Sequence, residues 1–352
     1  MASLQDVAKL AGVSKTLVSR VINHQSGVSV KTRSKIQAAL DELNYVPNAL
    51  ARSLVLQKTQ TIGVVMDTLC EPYFFPLIEG IEEAADRSEY DVLFSSGRSN
   101  PQLKARSVRY FSQGRTDGLI LYGSLLDDEP LIRQLAKTSF PFIVIENTVP
   151  VDNINNVLVD NMFGAGLAVD HLYRSGCRRI YHVSGGMTHR VSLDRREGYI
   201  TQMQKLGIAV DSQMIIEADF DVQTSYLATK AFLSHDSQEL FPDAFFCASD
   251  NTAWGVMMAL EDAGYKIPED VMIVGFDDDR PPYTLRKFKG LTTLSQPLHL
   301  MGSTALDILL EDIEHKPVQK QRVVFYPELI IRETTGDCRP KGKIQTISSK
   351  PR

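Results

Sequence analysis

LQDVAKLAGVSKTLVSRVIN, residues 4–23, carries two helical repeats separated by a turn, and everything else in the chain is read outward from it. Ser3 precedes Leu4, Val7, Leu10 and Ala11, whose spacing puts apolar side chains on one helical stripe, with Ser3 as N-cap and Asp6 in the first turn. Gly12 suits the positive φ that closes a helix, and Ser14 suits the cap of the next, so Ala11-Gly12-Val13-Ser14 reads as a tight turn. The second helix, Lys15 to Asn23, directs Val18, Val21 and Ile22 inward. Its other face carries Lys15, Thr16, Ser19 and Arg20, side chains able to bond bases or phosphates, at the end that enters the major groove in helix-turn-helix proteins. A third helix, roughly Thr32 to Asn44, repeats Ile36, Ala39, Leu40 and Leu43 at intervals of three and four and closes a three-helix core.

The charge distribution points the same way. Across 352 residues the net charge is -5, but the first 60 residues hold eight Lys and Arg against three Asp and Glu, leaving the head about +5 and the remainder -10. Positive potential that attracts a phosphate backbone is concentrated at one end. With 43% hydrophobic residues the chain can bury more than one core, and no run of about 18 apolar residues occurs. The N-terminus lacks the apolar core of an export signal, so a cytoplasmic protein with no membrane contact is expected. Cys70, Cys177, Cys247 and Cys338 lie far apart with no CxxC pair, which predicts reduced thiols and no metal site.

From Thr61 the pattern changes. Short β-rich runs (62–66, 90–96, 117–123, 140–146, 179–186, 214–220, 243–249 and 270–278) alternate with helical stretches such as Pro76 to Ser88, which predicts parallel sheets with crossover helices, in two groups and hence two lobes. Ligands of such sheets bind beyond the carboxyl ends of the strands. The residues there are polar and aromatic: Asp67, Tyr73, Phe74, Glu146, Asn147, Arg195, Phe220, Ser249, Asp250 and Asp277. Carboxylates and a guanidinium for vicinal hydroxyls, with aromatic faces for C–H groups, suit a mono- or disaccharide.

The head, LQDVAKLAGVSKTLVSRVIN followed by VSVKTRSKIQAALDELNYVPNALARSL, resembles the DNA-binding head of the Lac-repressor family over about 57 continuous residues, with Leu17 where members more often carry Thr or Val. The resemblance implies that Lys15, Thr16 and Arg20 meet base edges of a near-palindromic operator, while Ser14, Ser19, Asn23 and Lys31 hold phosphates. It implies a hinge helix over Ala49 to Leu54, pairing with its dimer mate in the minor groove, with Asn48, Ala51 and Leu54 against the DNA and Leu54 as the wedging leucine. EPYFFPLIEGIEEA, DRREGY, CASDNTAWG and VGFDD, on to IIRETT at 330–335, are similar to the family's effector module, itself like periplasmic sugar-binding proteins, and match Arg195 and Asp277 to its hydroxyl-binding pair. Ser249 stands where some members carry Asn, which leaves the sugar open.

The expectation is therefore an all-α helix-turn-helix domain (1–46), a hinge and linker (47–60), an α/β body of two doubly wound parallel-sheet lobes (61–335) that binds effector and dimerises, and a basic tail (336–352). The function expected is a homodimeric transcriptional repressor governed by a sugar and needing no cofactor. A regulator with a purine or sugar-phosphate corepressor is the alternative, favoured less for want of an aromatic sandwich in the sequence. A transport protein of the same fold would lack the head. An enzyme using the carboxylates of Asp277-Asp278-Asp279 is disfavoured, because phosphate-loop, nucleophile-elbow and HExxH motifs are missing.

Overall fold

The computed structural model describes residues 2–22, 26–45, 58–98, 100–147, 149–150, 153–234, 241–281, 283–288, 290–314 and 319–336. Contacts divide the chain into two compact units, Met1–Gln60 and Thr61–Arg352. In the first, α1 (Leu4–Ala11), α2 (Lys15–Ile22) and α3 (Val30–Glu42) pack around Val7, Ala8, Val18, Val21, Ile36, Ala39 and Leu40. α1 opens with a capping box in which the Ser3 hydroxyl accepts from Asp6 N–H, while the Asp6 carboxylate accepts from Ser3 N–H at 2.8 Å and from the Ser3 hydroxyl at 2.7 Å, two bonds that hold the Asp6 carboxyl below its usual range. Gly12 closes the helix at φ +65. α3 begins two residues earlier than its apolar repeat predicts, because Ser29 caps it.

The second unit holds two parallel sheets. One has the order β11-β5-β4-β3-β1-β2, formed by β1 (Thr61–Met66), β2 (Asp91–Ser96), β3 (Gly118–Tyr122), β4 (Phe142–Ile145), β5 (Asn155–Val159) and β11 (Arg322–Phe325). The other has the order β7-β6-β8-β9, from β6 (Ile180–Val183), β7 (Ile215–Ile216), β8 (Ala244–Cys247) and β9 (Met272–Val274). A small antiparallel pair, β10 (Thr293–Ser295) and β12 (Glu328–Ile330), joins the set, and every other pairing between these strands is parallel among the described residues. The doubly wound reading holds, since each sheet is covered on both faces. Along β1, Ile62, Val64 and Met66 point into a core shared with α4 (Phe75–Arg87) and α11 (Leu298–Glu314), while Val65 points to the core of α5 (Pro101–Ser112) and α6 (Glu129–Leu135). In the second lobe α7 (Asn161–Arg174) and α8 (Arg190–Lys205) cover one face, and α9 (Val222–Leu233) and α10 (Asp250–Asp262) the other. No helix among the described residues is long and apolar enough to cross a membrane.

Candidate functional site

On the head, Ser14 accepts Leu17 N–H and so fixes the start of α2. Lys15, Thr16 and Arg20 lie exposed on α2, Ser19 is half-buried, and Lys31 is exposed on the first turn of α3. Val18 and Val21 are buried on the opposite side, so the polar face and the core face separate as the spacing requires. Leu17 packs half-buried against the core. Asn23, Asn48, Ala51 and Leu54 lie outside the described residues.

In the body a cleft of about 280 Å³ opens between the lobes, lined from one side by Asp67, Tyr73, Phe74, Tyr122 and Ser124 and from the other by His189, Arg195, Phe220, Ser249 and Asp277. Both groups follow strand ends: Asp67 follows β1, Ser249 comes just after β8 and Asp277 just after β9. The centre is the pair Arg195 and Asp277. The guanidinium lies over the Phe276 ring at 3.7 Å, donating from Nε to Asn161 Oδ1 (2.8 Å) and from Nη1 to Ala248 O (2.6 Å) and Asp277 Oδ1 (3.1 Å). Asp277 Oδ1 also accepts Gln296 Nε2 at 2.7 Å, and Gln296 Nε2 donates to Tyr73 Oη at 3.1 Å. Asp277 takes φ +113, a conformation that favours glycine, and is held there by its N–H to Leu294 O. Burial pushes its carboxyl up to about 7 against the lowering effect of Arg195.

Three residues expected at the site, Glu146, Asn147 and Asp250, bond to protein groups and do not line the cleft. Glu146, at φ +60 after β4, accepts Val159 N–H (2.7 Å) and Asn161 Nδ2 (3.2 Å) and is absent from the cleft lining. It reaches Arg195 only through Asn161, and burial pushes its carboxyl up to about 7. Asn147 donates to Gly123 O, accepts Val149 N–H and lies off the cleft. Asp250 is also off it, buried, and grips the segment beyond Asp277 by accepting Asp279 N–H (2.8 Å) and Thr293 Oγ1 (2.6 Å). Ser249 lines the cleft and at the same time caps α10 through Thr252 N–H.

Sequence reasoning missed Tyr122, Ser124 and His189 in the wall, and Asn161 and Gln296 behind it. It also found no aromatic sandwich, whereas the fold brings Tyr73, Phe74 and Tyr122 to the same cleft as Phe220, with Phe74 edge-on to both tyrosines at 5.0 Å. Phe220 packs on Gly185, where a Cβ would lie 2.4 Å from the ring, and meets the His189 ring edge-on. Six carboxylates, Asp67, Glu71, Asp219, Asp221, Asp277 and Asp279, face the cleft against the single guanidinium of Arg195. Asp278 turns away to Arg332 at 2.6 Å, and among the described residues no group of His, Cys, Asp and Glu is arranged to hold a metal ion.

Residues 3–48 match the description "Bacterial regulatory proteins, lacI family", and residues 169–335 match "Periplasmic binding protein-like domain". The chain is 32% identical to the HTH-type transcriptional repressor PurR of Photobacterium profundum, covering 96% of this chain and 99% of that one. It is 33% identical to the PurR repressor of Vibrio vulnificus, covering 95% and 98%. Among solved structures it resembles the Lac repressor dimer bound to operator and the anti-inducer ONPF, at 28% identity and TM-score 0.83 over 95% of this chain and 99% of that one. The transcriptional regulator CelR in complex with cellobiose gives 28% identity and TM-score 0.70, over 95% and 100%. A helical head presenting Lys15, Thr16 and Arg20, a two-lobed body with a polar cleft, and likeness at nearly full length lead to one conclusion: the chain belongs to the LacI family and is a DNA-binding regulator of transcription.

Proposed function

We propose that the protein is a dimeric repressor whose operator affinity is set by a neutral polyhydroxyl molecule, a sugar of one or two rings, bound in the cleft. The observation that carries this reading is the preorganised pair at its centre. Three protein bonds fix the Arg195 guanidinium, and its Nη2 has no partner among the described residues. Asp277 spends Oδ1 on Arg195 and Gln296, and its Oδ2 has no partner among the described residues. One donor and one acceptor side by side fit a vicinal diol, and Tyr73, Phe74 and Phe220 supply faces for the C–H side of the ring. The volume of about 280 Å³ is just below the range of ligand pockets, roughly 300 to 1,000 Å³, which favours the smaller sugars. Asp67 is paired with Lys104 and Asp277 with Arg195, and the other four cleft carboxylates, Glu71, Asp219, Asp221 and Asp279, have no salt bridge among the described residues, which opposes an anionic ligand such as a sugar phosphate. In the head, Lys15, Thr16 and Arg20 read base edges and Ser14, Ser19 and Lys31 set the register on phosphates, with Asn23 and the hinge residues Asn48, Ala51 and Leu54 completing the contact.

A neutral purine base is the second reading. The aromatic side chains reaching the cleft from both lobes favour it, because a planar lactam edge presents the same donor and acceptor pair to Arg195 and Asp277. Thermal unfolding of the full chain in the presence of neutral sugars, sugar phosphates and free nucleobases separates the two. A ligand at 100 times its Kd stabilises by about 2.7 kcal/mol. A rise in Tm with neutral sugars only supports the first reading, a rise with nucleobases only replaces it by the second, and a preference for sugar phosphates contradicts the electrostatics of both.

A further inference from the structure

The chain crosses between lobes three times, after β5, after β10 and after β11. A fourth connection is not covalent. The loop after β3 meets the residues ahead of α8 as a short antiparallel bridge: Leu126 N–H donates to Thr188 O (2.9 Å), Arg190 N–H donates to Ser124 O (2.8 Å), and Leu125 pairs with His189. Nothing in the crossovers dictates this pairing, because the turn at 124–126 and the entry to α8 at 188–190 are both remote from them in sequence.

The first-lobe side of the bridge is braced by a buried ion cluster. Lys104, on α5, has a fully buried side chain and donates from Nζ to Asp67 Oδ1 (2.7 Å) and Asp128 Oδ2 (2.6 Å). Asp128 Oδ2 also accepts Leu125 N–H at 3.2 Å, and Asp67 Oδ2 accepts the Ser124 hydroxyl at 3.1 Å. Both carboxylates that hold the ammonium thus hold the bridge, one through its backbone and one through a side chain. A buried ammonium is costly to desolvate and contributes little net stability even when paired, so such a cluster is better suited to fixing one arrangement than to strengthening the fold. Asp67, Ser124 and His189 also line the cleft.

We propose that residues 124–126 and 188–190 form a latch that holds the two lobes together across the cleft without ligand, with Lys104 as its positioning residue, and that a ligand touching Asp67, Ser124 or His189 acts directly on this latch. Only the last clause rests on the cleft being the effector site. The experiment uses the ligand-free full chain, so failure of the latch and failure of the effector reading are distinguishable.

Native-state amide hydrogen exchange is measured on the wild type, Lys104→Met and Leu126→Pro. Leu126→Pro deletes one latch donor at a tolerant position: Leu126 opens a 3-10 turn, and Leu125 before it sits at φ -76, ψ 141, a conformation compatible with a following proline. The expected result is protection of the Arg190 amide in the wild type and exchange at least about tenfold faster in both variants. Ile120 and Val144, in the adjoining strands, should exchange as in the wild type. Should Lys104→Met not fold, Ser124→Ala cuts the Asp67 arm while leaving the ammonium paired, and the same acceleration is expected. An Arg190 amide as protected in the variants as in the wild type overturns the latch. Uniform acceleration across the first-lobe strands in Lys104→Met or Ser124→Ala overturns the positioning role of Lys104 and reduces the cluster to packing.

Discussion

Glu146, buried, and Asp277, half-buried in the cleft wall, both have carboxyls pushed up to about 7, and both lie within the field of one guanidinium, that of Arg195. Between the ordinary carboxylate range and pH 7 the folded protein keeps protons that the unfolded chain releases, so each contributes stability that is present at low pH and lost as the pH rises toward 7. His182, buried and lowered to about 4, acts in the opposite sense: its contribution is present above 6.5 and lost as the pH falls through 4. The wild-type profile mixes both, but the difference between wild type and Glu146→Gln isolates the first. The stability advantage of the wild type in urea unfolding should shrink by on the order of 1 to 3 kcal/mol between pH 5 and pH 7.5. A gap that does not change with pH would show that Glu146 titrates normally. At this scale the sequence was legible for position and opaque for direction. Glu146, Asn147, Asp250 and Asp277 all follow strands, and the rule for parallel sheets marks every one of them. Which of them turn to backbone N–H groups and which face the cleft depends on φ angles and neighbours that no spacing encodes. Asn161 and Gln296 escaped notice because they lie on crossovers, remote in sequence from the residues they orient.

The helix pair α4 and α11 shows how elements set the geometry on which the site depends. A Cβ on Gly80 would lie 2.0 Å from His299 O and one on Gly302 2.2 Å from Leu77 O, so the two backbones touch where side chains are missing. Gly80→Ala must push the helices apart and should destabilise by about 1 to 3 kcal/mol. Gly166, also helical, has only Gln202 Oε1 at 3.9 Å from its Cβ position, so Gly166→Ala should be neutral or stabilising by up to about 1 kcal/mol. Denaturant midpoints for the two variants check the contrast, and equal effects would remove the close-approach explanation. The periodicity of Leu77, Ile81, Ala84 and Ala85 announces α4, but it cannot announce which glycines are contact points. Strands were legible where apolar runs were unbroken, as in β1, β3 and β8. β5 escaped because Asn155 and Asn156 interrupt its pattern; both are buried, Asn155 accepting Gln321 N–H and Asn156 donating to Asn147 O. The run at 214–220 promised a full strand and gave only Ile215–Ile216, since exposed Glu217 marks the point where pairing with β6 has ended. The antiparallel pair β10 and β12 had no signal of its own, each strand being three residues long.

For the whole molecule the question is how two units, one net positive and one net negative, divide the work of regulation, and single substitutions can separate them. Arg20 is exposed on α2 with no role in the head core, and Asp277 is 14% exposed in the cleft wall of the other unit. Arg20→Ala should therefore leave the ligand-induced rise in Tm intact while costing roughly 1 to 3 kcal/mol on an operator selected from random duplexes, with specificity relaxed at one symmetric position. Lys31→Ala should weaken selected and random duplexes alike and reduce the salt dependence of binding by about one phosphate contact. Asp277→Asn keeps the shape of the side chain and the fold, so operator binding without ligand should match the wild type. It removes the charge paired with Arg195 and an acceptor for the ligand, so the ligand concentration for half-response should rise tenfold or more, about 1.4 kcal/mol. Titrations of fluorescent operator with each variant, with and without the ligand found by thermal shift, give both quantities from one experiment. An Asp277→Asn protein that responds at the wild-type ligand concentration would remove the Arg195 and Asp277 pair from the effector site, and an Arg20→Ala protein with equal losses on operator and random DNA would remove Arg20 from the base readers.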